Sequence, residues 1–218
     1  MRWKFILGLL TTCAVLMSMS YTMLIPFLPM YLIQDLGVVK ADVDMWSGAI
    51  FAITFLVSGI MAPIWGALAD KKSRKLMALR AGFCLAITYF LGGLVTNPWE
   101  LLGVRFIQGL SAGLWPALLA IISVESPKLK LGFCMGVMQG GMTAGGVLGP
   151  LFGGLLADQF GMRMAFFIAA AALFLITLAL LFFVKEEPRK PDPNAKPVKI
   201  WDFSLCKIPA VKLSLIHI

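Results

Sequence analysis

The sequence predicts an all-α integral membrane protein built as a bundle of six membrane-spanning helices. Two features of the composition point to a membrane, since 60% of the 218 residues are hydrophobic and only 14% are charged. Soluble domains carry about 25% charged residues. The third observation is that the apolar residues fall into six runs close to or above the roughly 20 residues that a helix needs to cross a bilayer. These runs, the first to sixth spans, cover about 5–32, 45–68, 76–95, 99–122, 131–156 and 164–184.

The basic residues predict how the spans are oriented. The net charge is +8, but the basic residues lie in short segments between spans and form no single patch, which argues against nucleic-acid binding. With a cytoplasmic amino terminus, the outer loops hold only Lys40 and Arg163. The inner segments hold Arg2, Lys4, Lys71, Lys72, Arg74, Lys75, Lys128, Lys130, Lys185, Arg189 and Lys190. The positive-inside rule therefore predicts both termini in the cytoplasm.

The chain is predicted to divide into residues 1–184, which form the bundle, and residues 185–218, which form a truncated cytoplasmic linker. The linker is polar and contains Pro188, Pro191, Pro193 and Pro197, a composition that cannot span a membrane or pack as a core. The final residues, 214–218, resemble a translated sequencing-adaptor remnant and are expected to be non-native. His217, the single histidine, is then expected to carry no function.

Nothing in the sequence indicates an enzyme. The four cysteines, Cys13, Cys84, Cys134 and Cys206, lack metal-ligand spacing, and there is no His-Glu-x-x-His pattern. We therefore expect no catalytic residues, no metal and no cofactor.

A short internal repeat links the two halves of the predicted bundle. Residues 66–70 read Gly-Ala-Leu-Ala-Asp and residues 154–158 read Gly-Leu-Leu-Ala-Asp, an offset of 88 residues. One copy closes the second span and the other closes the fifth, and these spans run in opposite directions. This pattern indicates an inverted three-plus-three repeat, as found in facilitator-type transporters.

The loop after the second span resembles the signature of the major facilitator superfamily, Gly-x-Leu-x-Asp-Arg-x-Gly-Arg-Lys. Ser73 replaces the usual second glycine. The resemblance implies a latch that holds the outward-open state, joined by Glu125 at the inner end of the fourth span. The alternative is an ordinary basic loop on the cytoplasmic side. The predicted latch consists of Gly66, Leu68, Asp70, Lys71, Arg74, Lys75 and Glu125.

The fourth span contains Arg105, Gln108 and Gly109, which share one helix face. They resemble the superfamily's fourth-helix motif, which implies that Arg105 faces a central cavity. A guanidinium keeps its proton at any working pH, so Arg105 is expected to tune proton transfer by a neighbouring acid. The alternative is an interfacial arginine that snorkels to the headgroups.

The fifth span contains a glycine every four residues, at Gly141, Gly145, Gly149 and Gly153, and a second series at 132, 136 and 140. Such density predicts close approach of a partner helix, and Pro150 adds a bend point. The segment resembles the superfamily's antiporter motif, which marks exporters, at Gly145, Gly149, Pro150, Gly153 and Gly154. Its alternative is general small-residue packing.

The first span carries Pro26 and Pro29, which kink it, and it resembles the first helix of twelve-helix drug exporters. It lacks the carboxylate that many proton-coupled exporters keep there. Asp35 and Glu100 are the nearest candidate coupling acids, the alternative being solvated boundary residues. Candidate substrate contacts, for which lipid or core packing is the alternative, are Tyr21, Met23, Phe27, Trp115 and Met138.

The resemblance as a whole implies the amino-terminal half of a bacterial twelve-helix drug:proton antiporter in the inner membrane. The expected function is secondary active efflux of small amphipathic molecules by alternating access. The expected partners are protons, the bilayer and a missing carboxy-terminal six-helix half. The alternatives are an importer or a lipid or metabolite exporter of the same fold, or a truncated half with no activity of its own.

Overall fold

The computed structural model of the chain describes residues 2–71 and 73–185, without the side chains of Arg2, Asp70 and Lys71. The regular structure of these residues is helical throughout. The α-helices are α1 (Arg2–Met23), α2 (Leu28–Gln34), α3 (Val43–Lys71), α4 (Arg74–Leu94), α5 (Pro98–Leu110), α6 (Leu114–Glu125), α7 (Leu131–Phe160) and α8 (Met162–Phe183). Six stretches are long and apolar enough to cross a membrane. The predicted all-α fold with six spans is therefore confirmed.

Two of the spans differ from the continuous helices expected from the sequence. The first is interrupted between Met23 and Leu28, and the fourth between Leu110 and Leu114. In the fourth span Gly113 has φ +117°, a left-handed conformation that glycine adopts without a Cβ clash. The last helical residues before the two breaks, Met23 and Leu110, are 87 positions apart in the sequence. The first helical residues after the breaks, Leu28 and Leu114, are 86 positions apart. This spacing is close to the repeat offset, so the breaks occupy equivalent places in the two halves.

The helix pairing follows the same inverted symmetry. The three most extensive packings are α1 with α7, α4 with α8, and α3 with α5. In spans, these are the first with the fifth, the third with the sixth, and the second with the fourth. Exchanging the first three spans for the last three converts the first pairing into the third and leaves the second unchanged. The fold is therefore an inverted three-plus-three bundle.

The core consists of two apolar clusters, one at each end of the bundle. One cluster centres on α2 and the start of α8, with Leu28, Tyr31 and Phe166 almost fully buried. The other joins the first half of α1 to α6 and α7, and it includes the free thiols of Cys13 and Cys134. Helices α1, α4 and α8 contribute to both clusters, so they connect the two ends of the bundle.

Helices α3 and α7 are the least covered of the spans. Phe55 and Leu56 on α3 are 61% and 62% exposed, and Val147 on α7 is 72% exposed. The glycine series at 132, 136 and 140 lies on this open side of α7, where an added Cβ would meet nothing within 4 Å. Each of these glycines is nine residues from a member of the other series, which places the two series about 180° apart around the helix. Close approach of a partner helix was expected for both glycine series, but only the series from Gly141 to Gly153 packs against one, helix α1.

Candidate functional site

A cavity of ≈ 570 Å³ lies between α1, α3, α4, the junction of α5 with α6, and α7. We call it the central cavity. Its walls are mainly apolar, with hydroxyls from Ser18, Thr22 and Ser58. The rings of Tyr21 and Phe55 meet edge to face at 6.1 Å on one side. This volume lies within the roughly 300–1,000 Å³ range of small-molecule sites in proteins, and the lining suits a ligand that is mostly apolar.

Arg105 and Gln108 form a buried polar pair on α5, beside the central cavity. They are 4% and 7% exposed, and Arg105 Nη1 donates to Gln108 Oε1 at 2.9 Å. Gln108 lines the central cavity. Arg105 Nη2 and Gln108 Nε2 are buried without a hydrogen-bond partner among the described residues. Because Arg105 faces the bundle interior, it is not placed like an arginine that snorkels to the headgroups.

The break in the fourth span is closed by two side chains from other spans. Trp65 Nε1 donates to the Leu110 carbonyl at 2.8 Å, and Arg80 Nη2 donates to the Ala112 carbonyl at 3.0 Å. The Arg80 guanidinium carbon lies 3.4 Å from the centroid of the Trp65 ring, in position for a cation–π interaction. Backbone groups freed inside a membrane must find partners within the protein. Trp65 and Arg80 supply them here.

The same two side chains line a second cavity of ≈ 380 Å³, which extends towards Ala69 at the end of α3. Arg74 also lines this cavity. Ala112, Gly113 and Pro116 line both cavities. The broken fourth span therefore lies between the central cavity and a second cavity at the end of the bundle that carries Ala69 and Arg74.

Helix α7 packs closely against α1, which lines the central cavity, through a glycine ridge formed by Gly141, Gly145, Gly149 and Gly153. An added Cβ at Gly145 would meet the Val15 carbonyl oxygen, and one at Gly149 would meet Thr22 Oγ1 and the Met19 carbonyl oxygen. At Gly153 it would lie 2.5 Å from the Met23 carbonyl oxygen. Since real Cβ atoms do not approach backbone so closely, glycine is required at these positions.

Comparison with known proteins identifies the family. The family model described as Major Facilitator Superfamily matches residues 10–215. The chain belongs to the major facilitator superfamily. A multidrug resistance protein MdtG from Citrobacter koseri is 42% identical over 186 residues, which is 85% of this chain and 46% of the relative. The MdtG of Yersinia enterocolitica is 40% identical over 187 residues, 85% of this chain and 45% of the relative.

The fold agrees with solved structures of the superfamily. The POT family transporter PepTSo superimposes with a TM-score of 0.72 at 14% sequence identity, covering 86% of this chain and 40% of that one. The chain spans about half the length of the curated relatives it matches. It is therefore a multi-pass membrane protein of a transporter family and not an enzyme, and its residues correspond to one half of such a transporter.

The superfamily signature loop is only partly described. Ser73, in place of the usual glycine, is the N-cap of α4 and accepts a hydrogen bond from the Leu76 amide at 3.0 Å, so serine here starts the next helix. Lys75 Nζ donates to the Leu181 carbonyl at 2.6 Å. Leu68 packs against an apolar cluster, and Gly66 is exposed. Glu125 ends α6 and is half-buried. The side chains of Asp70 and Lys71 lie outside the described residues, as do residues 186–218.

The two candidate coupling acids lie at helix ends, away from the central cavity. Asp35 follows α2 and accepts a hydrogen bond from Arg163 Nε at 3.2 Å. Glu100, in the first turn of α5, accepts at 2.8 Å from the amide of Thr96, just before the N-cap residue Asn97. Neither acid lines the central cavity.

The two prolines of the first span lie at its interruption. Pro26 lies in the break and Pro29 in the first turn of α2.

The structure separates the five candidate substrate contacts. Tyr21 and Trp115 line the central cavity. Met138 is fully buried and Met23 is 2% exposed, both within apolar clusters. Phe27 packs over Gly154, where an added Cβ would lie 3.1 Å from its ring. The two methionines and Phe27 are therefore packing residues, because their side chains face neighbouring helices and not the cavity. Gly109, beside Gln108, packs against α3, where an added Cβ would lie 2.8 Å from the Thr54 carbonyl oxygen.

Sequence reasoning missed Trp65, Arg80 and the break they close. Arg80 lies inside the third apolar run, where a charge is as costly as that of Arg105. The same criterion therefore identifies it. The segment Ser111-Ala-Gly-Leu-Trp-Pro116 contains the glycine and proline that signal an interruption. The pairing of Arg80 with Trp65 had no sequence signal, because the two residues lie on different spans.

Proposed function

We propose that the chain forms the amino-terminal half of a proton-coupled transporter that exports amphipathic small molecules across a bacterial inner membrane. The observation that supports this most is the central cavity, which is ≈ 570 Å³ in volume, largely apolar and flanked by a buried arginine. The MdtG relatives are multidrug resistance proteins by name, and apolar cavities accept ligands of varied shape.

A second half has a place to bind. The least covered helices, α3 and α7, both contribute to the wall of the central cavity. In transporters of this kind the substrate site lies between two repeats that rock against each other. Six further helices packed on the exposed faces of α3 and α7 would close the cavity on its open side and complete the site.

The proposed orientation places both ends of the described chain in the cytoplasm. The basic residues that support it through the positive-inside rule include Lys75, Lys128 and Lys185, on the same side of the predicted topology. The second cavity, which Arg74 and Arg80 line, then lies towards the cytoplasm. Substrate would enter the central cavity from that side.

The proposal is tested by rebuilding a transporter from two halves. The chain would be co-expressed with the carboxy-terminal half of the Citrobacter koseri relative in cells without their own efflux pumps. Uptake of the neutral dye N-phenyl-1-naphthylamine into inside-out vesicles would then be measured. We expect energised vesicles to accumulate the dye, and a protonophore to release it. Vesicles that contain either half alone are expected to accumulate no dye.

Two results would contradict the proposal. Loss of dye from the inside-out vesicles on energisation would indicate import. Dye uptake that the protonophore does not reduce would show that transport is not coupled to the proton gradient. A variant of the chain, Gly149→Leu, places a side chain where α1 lies and is expected to abolish dye uptake. The matched control is Gly103→Leu on α5, where an added Cβ meets nothing within 4 Å, and it is expected to leave dye uptake unchanged.

A further inference from the structure

The described residues around Arg105 contain more hydrogen-bond donors than acceptors. Arg105 has five N–H donors and no acceptor, and the Gln108 amide adds two donors and one acceptor. That acceptor is already used, because Gln108 Oε1 accepts from Arg105 Nη1. The Tyr89 hydroxyl lies beside both residues and spends its proton on the Ser20 carbonyl at 2.7 Å. Its oxygen alone cannot satisfy the donors that remain.

Arg105 determines which end of the Gln108 amide is left without a hydrogen-bond partner. A guanidinium only donates, so the amide oxygen must face Arg105 and the NH₂ group must turn away from it. Gln108 Nε2 is buried without a hydrogen-bond partner, on a residue that is 7% exposed and lines the central cavity. The hydroxyls of the described cavity wall do not compensate, since none of them accepts a hydrogen bond from Gln108 Nε2. Gln108 therefore presents a donor that needs an acceptor.

The charges near the central cavity also favour a ligand with an acceptor or anionic group. Arg105 is permanently cationic, and no carboxylate lines the central cavity among residues 2–71 and 73–185. The second cavity is similar, because Arg74 and Arg80 line it and Arg80 Nε is buried without a partner. Against the wall that this half supplies, a positively charged ligand would lie close to a cation with no anion to offset the repulsion.

We infer that Gln108 selects substrates with a hydrogen-bond acceptor group, best an anionic one, and that the central cavity disfavours organic cations. The inference rests on the proposed function, since it assigns a substrate class to the same cavity. The ligand is an amphiphile whose apolar part occupies the wall of Tyr21 and Phe55. Its sulfonate, carboxylate or phosphonate end accepts from Gln108 Nε2, with Arg105 fixing the amide.

The test compares three probes on the chain in nanodiscs of uncharged lipid, with empty nanodiscs as background. 8-Anilinonaphthalene-1-sulfonate carries a sulfonate, N-phenyl-1-naphthylamine has the same ring systems without it, and tetraphenylphosphonium is a cation. We expect the sulfonate to bind about ten-fold more tightly than the neutral dye, the size of one hydrogen bond to a charged group. The cation is expected to bind most weakly. This comparison needs no variant.

Substitutions then assign the preference to Gln108. Gln108→Leu removes the donor and is expected to weaken sulfonate binding about ten-fold while the neutral dye binds as before. Gln108→Glu supplies a carboxylate of the same shape and is expected to weaken sulfonate binding and to strengthen binding of the cation. Gln159→Glu, an exposed residue in the last turn of α7, is the matched control and should change neither.

Each outcome bears on one claim. If the neutral dye binds but the sulfonate binds no more tightly, or if the cation binds as well as the sulfonate, the acceptor preference is wrong while the cavity remains a binding site. Unchanged sulfonate binding in both Gln108 variants overturns the assignment to Gln108. If none of the three probes binds, this half forms no ligand site by itself and the assignment to Gln108 is wrong, while the proposed function is judged by the transport assay with both halves.

Discussion

Two helix pairs occupy equivalent places in the inverted repeat but are held together differently. Helices α1 and α7 meet along a glycine ridge, where backbone of one helix contacts backbone of the other. Helices α3 and α5 meet with a single close glycine, Gly109, and with polar contacts. Trp65 donates to the Leu110 carbonyl at 2.8 Å, and the Thr54 hydroxyl, which donates to Ile50 in its own helix at 3.0 Å, also lies 3.4 Å from the Arg105 carbonyl oxygen. Shape holds one pair and hydrogen bonds hold the other.

The difference follows from how each break is closed. The break in the first span is closed by backbone hydrogen bonds among its own residues, and close packing along α7 is the main stabilising interaction of α1. The break in the fourth span frees carbonyls that side chains of α3 and α4 satisfy. The polar pair is also the one that carries Arg105 and Gln108. Specific chemistry is thus concentrated in the second and fourth spans and rigid packing in the first and fifth.

The largest expected effect comes from filling the ridge. Gly149→Ala places a methyl group against backbone of Met19 and Met23, which cannot move aside as a side chain can. We expect it to lower the free energy of unfolding by about 3 kcal/mol. Gly140→Ala on the opposite face meets nothing and should be neutral, or stabilising by up to about 1 kcal/mol through helix propensity. Equilibrium unfolding of the chain in mixed micelles compares the two. Equal effects would mean that the ridge is not in close contact.

An intermediate effect is expected at the polar pair. Trp65→Phe keeps an aromatic ring under Arg80 but removes the N–H that satisfies the Leu110 carbonyl. Leaving a buried carbonyl unpaired costs about 1–2 kcal/mol, so this variant should unfold more easily than the parent but less easily than Gly149→Ala. Trp99, which is 70% exposed, offers the same substitution as a control. A Trp65→Phe variant as stable as Trp99→Phe would show that the carbonyl finds another partner.

The sequence contained the fold but only part of the site. The fold is encoded in repeating patterns, which can be read directly from the sequence. These are the six apolar runs, the repeat offset of 88 residues and the glycine spacing of the fifth span. Arg105 was identifiable because a charge inside an apolar run stands out. The break at Gly113 was not anticipated, since hydropathy over 99–122 stays high through it. An apolar average does not register a change of backbone direction.

What escaped prediction is mostly the orientation of single side chains. Tyr21 and Met23 are two residues apart in α1, yet one lines the central cavity and the other packs in the core. A two-residue step turns a side chain about 200° around a helix. In a span whose hydrophobic residues surround the axis, no polar face marks which side is the cavity. Only the packing of α7 against α1 decides it.

The smallest expected effect lies at the ion pair that joins the first span to the sixth. Arg163 and Asp35 are 39% and 27% exposed and join the end of α2 to the start of α8. Water screens a pair at this exposure, so Asp35→Asn should lower the free energy of unfolding by less than about 1 kcal/mol, and less again at high salt. Unfolding of Asp35→Asn, Arg163→Gln and the double variant, each at low and high salt, isolates the coupling between the two side chains. A coupling as large as the cost of Gly149→Ala would place the main restraint on the first span at α2, and the contrast between a packed pair and a polar pair would then fail for that span.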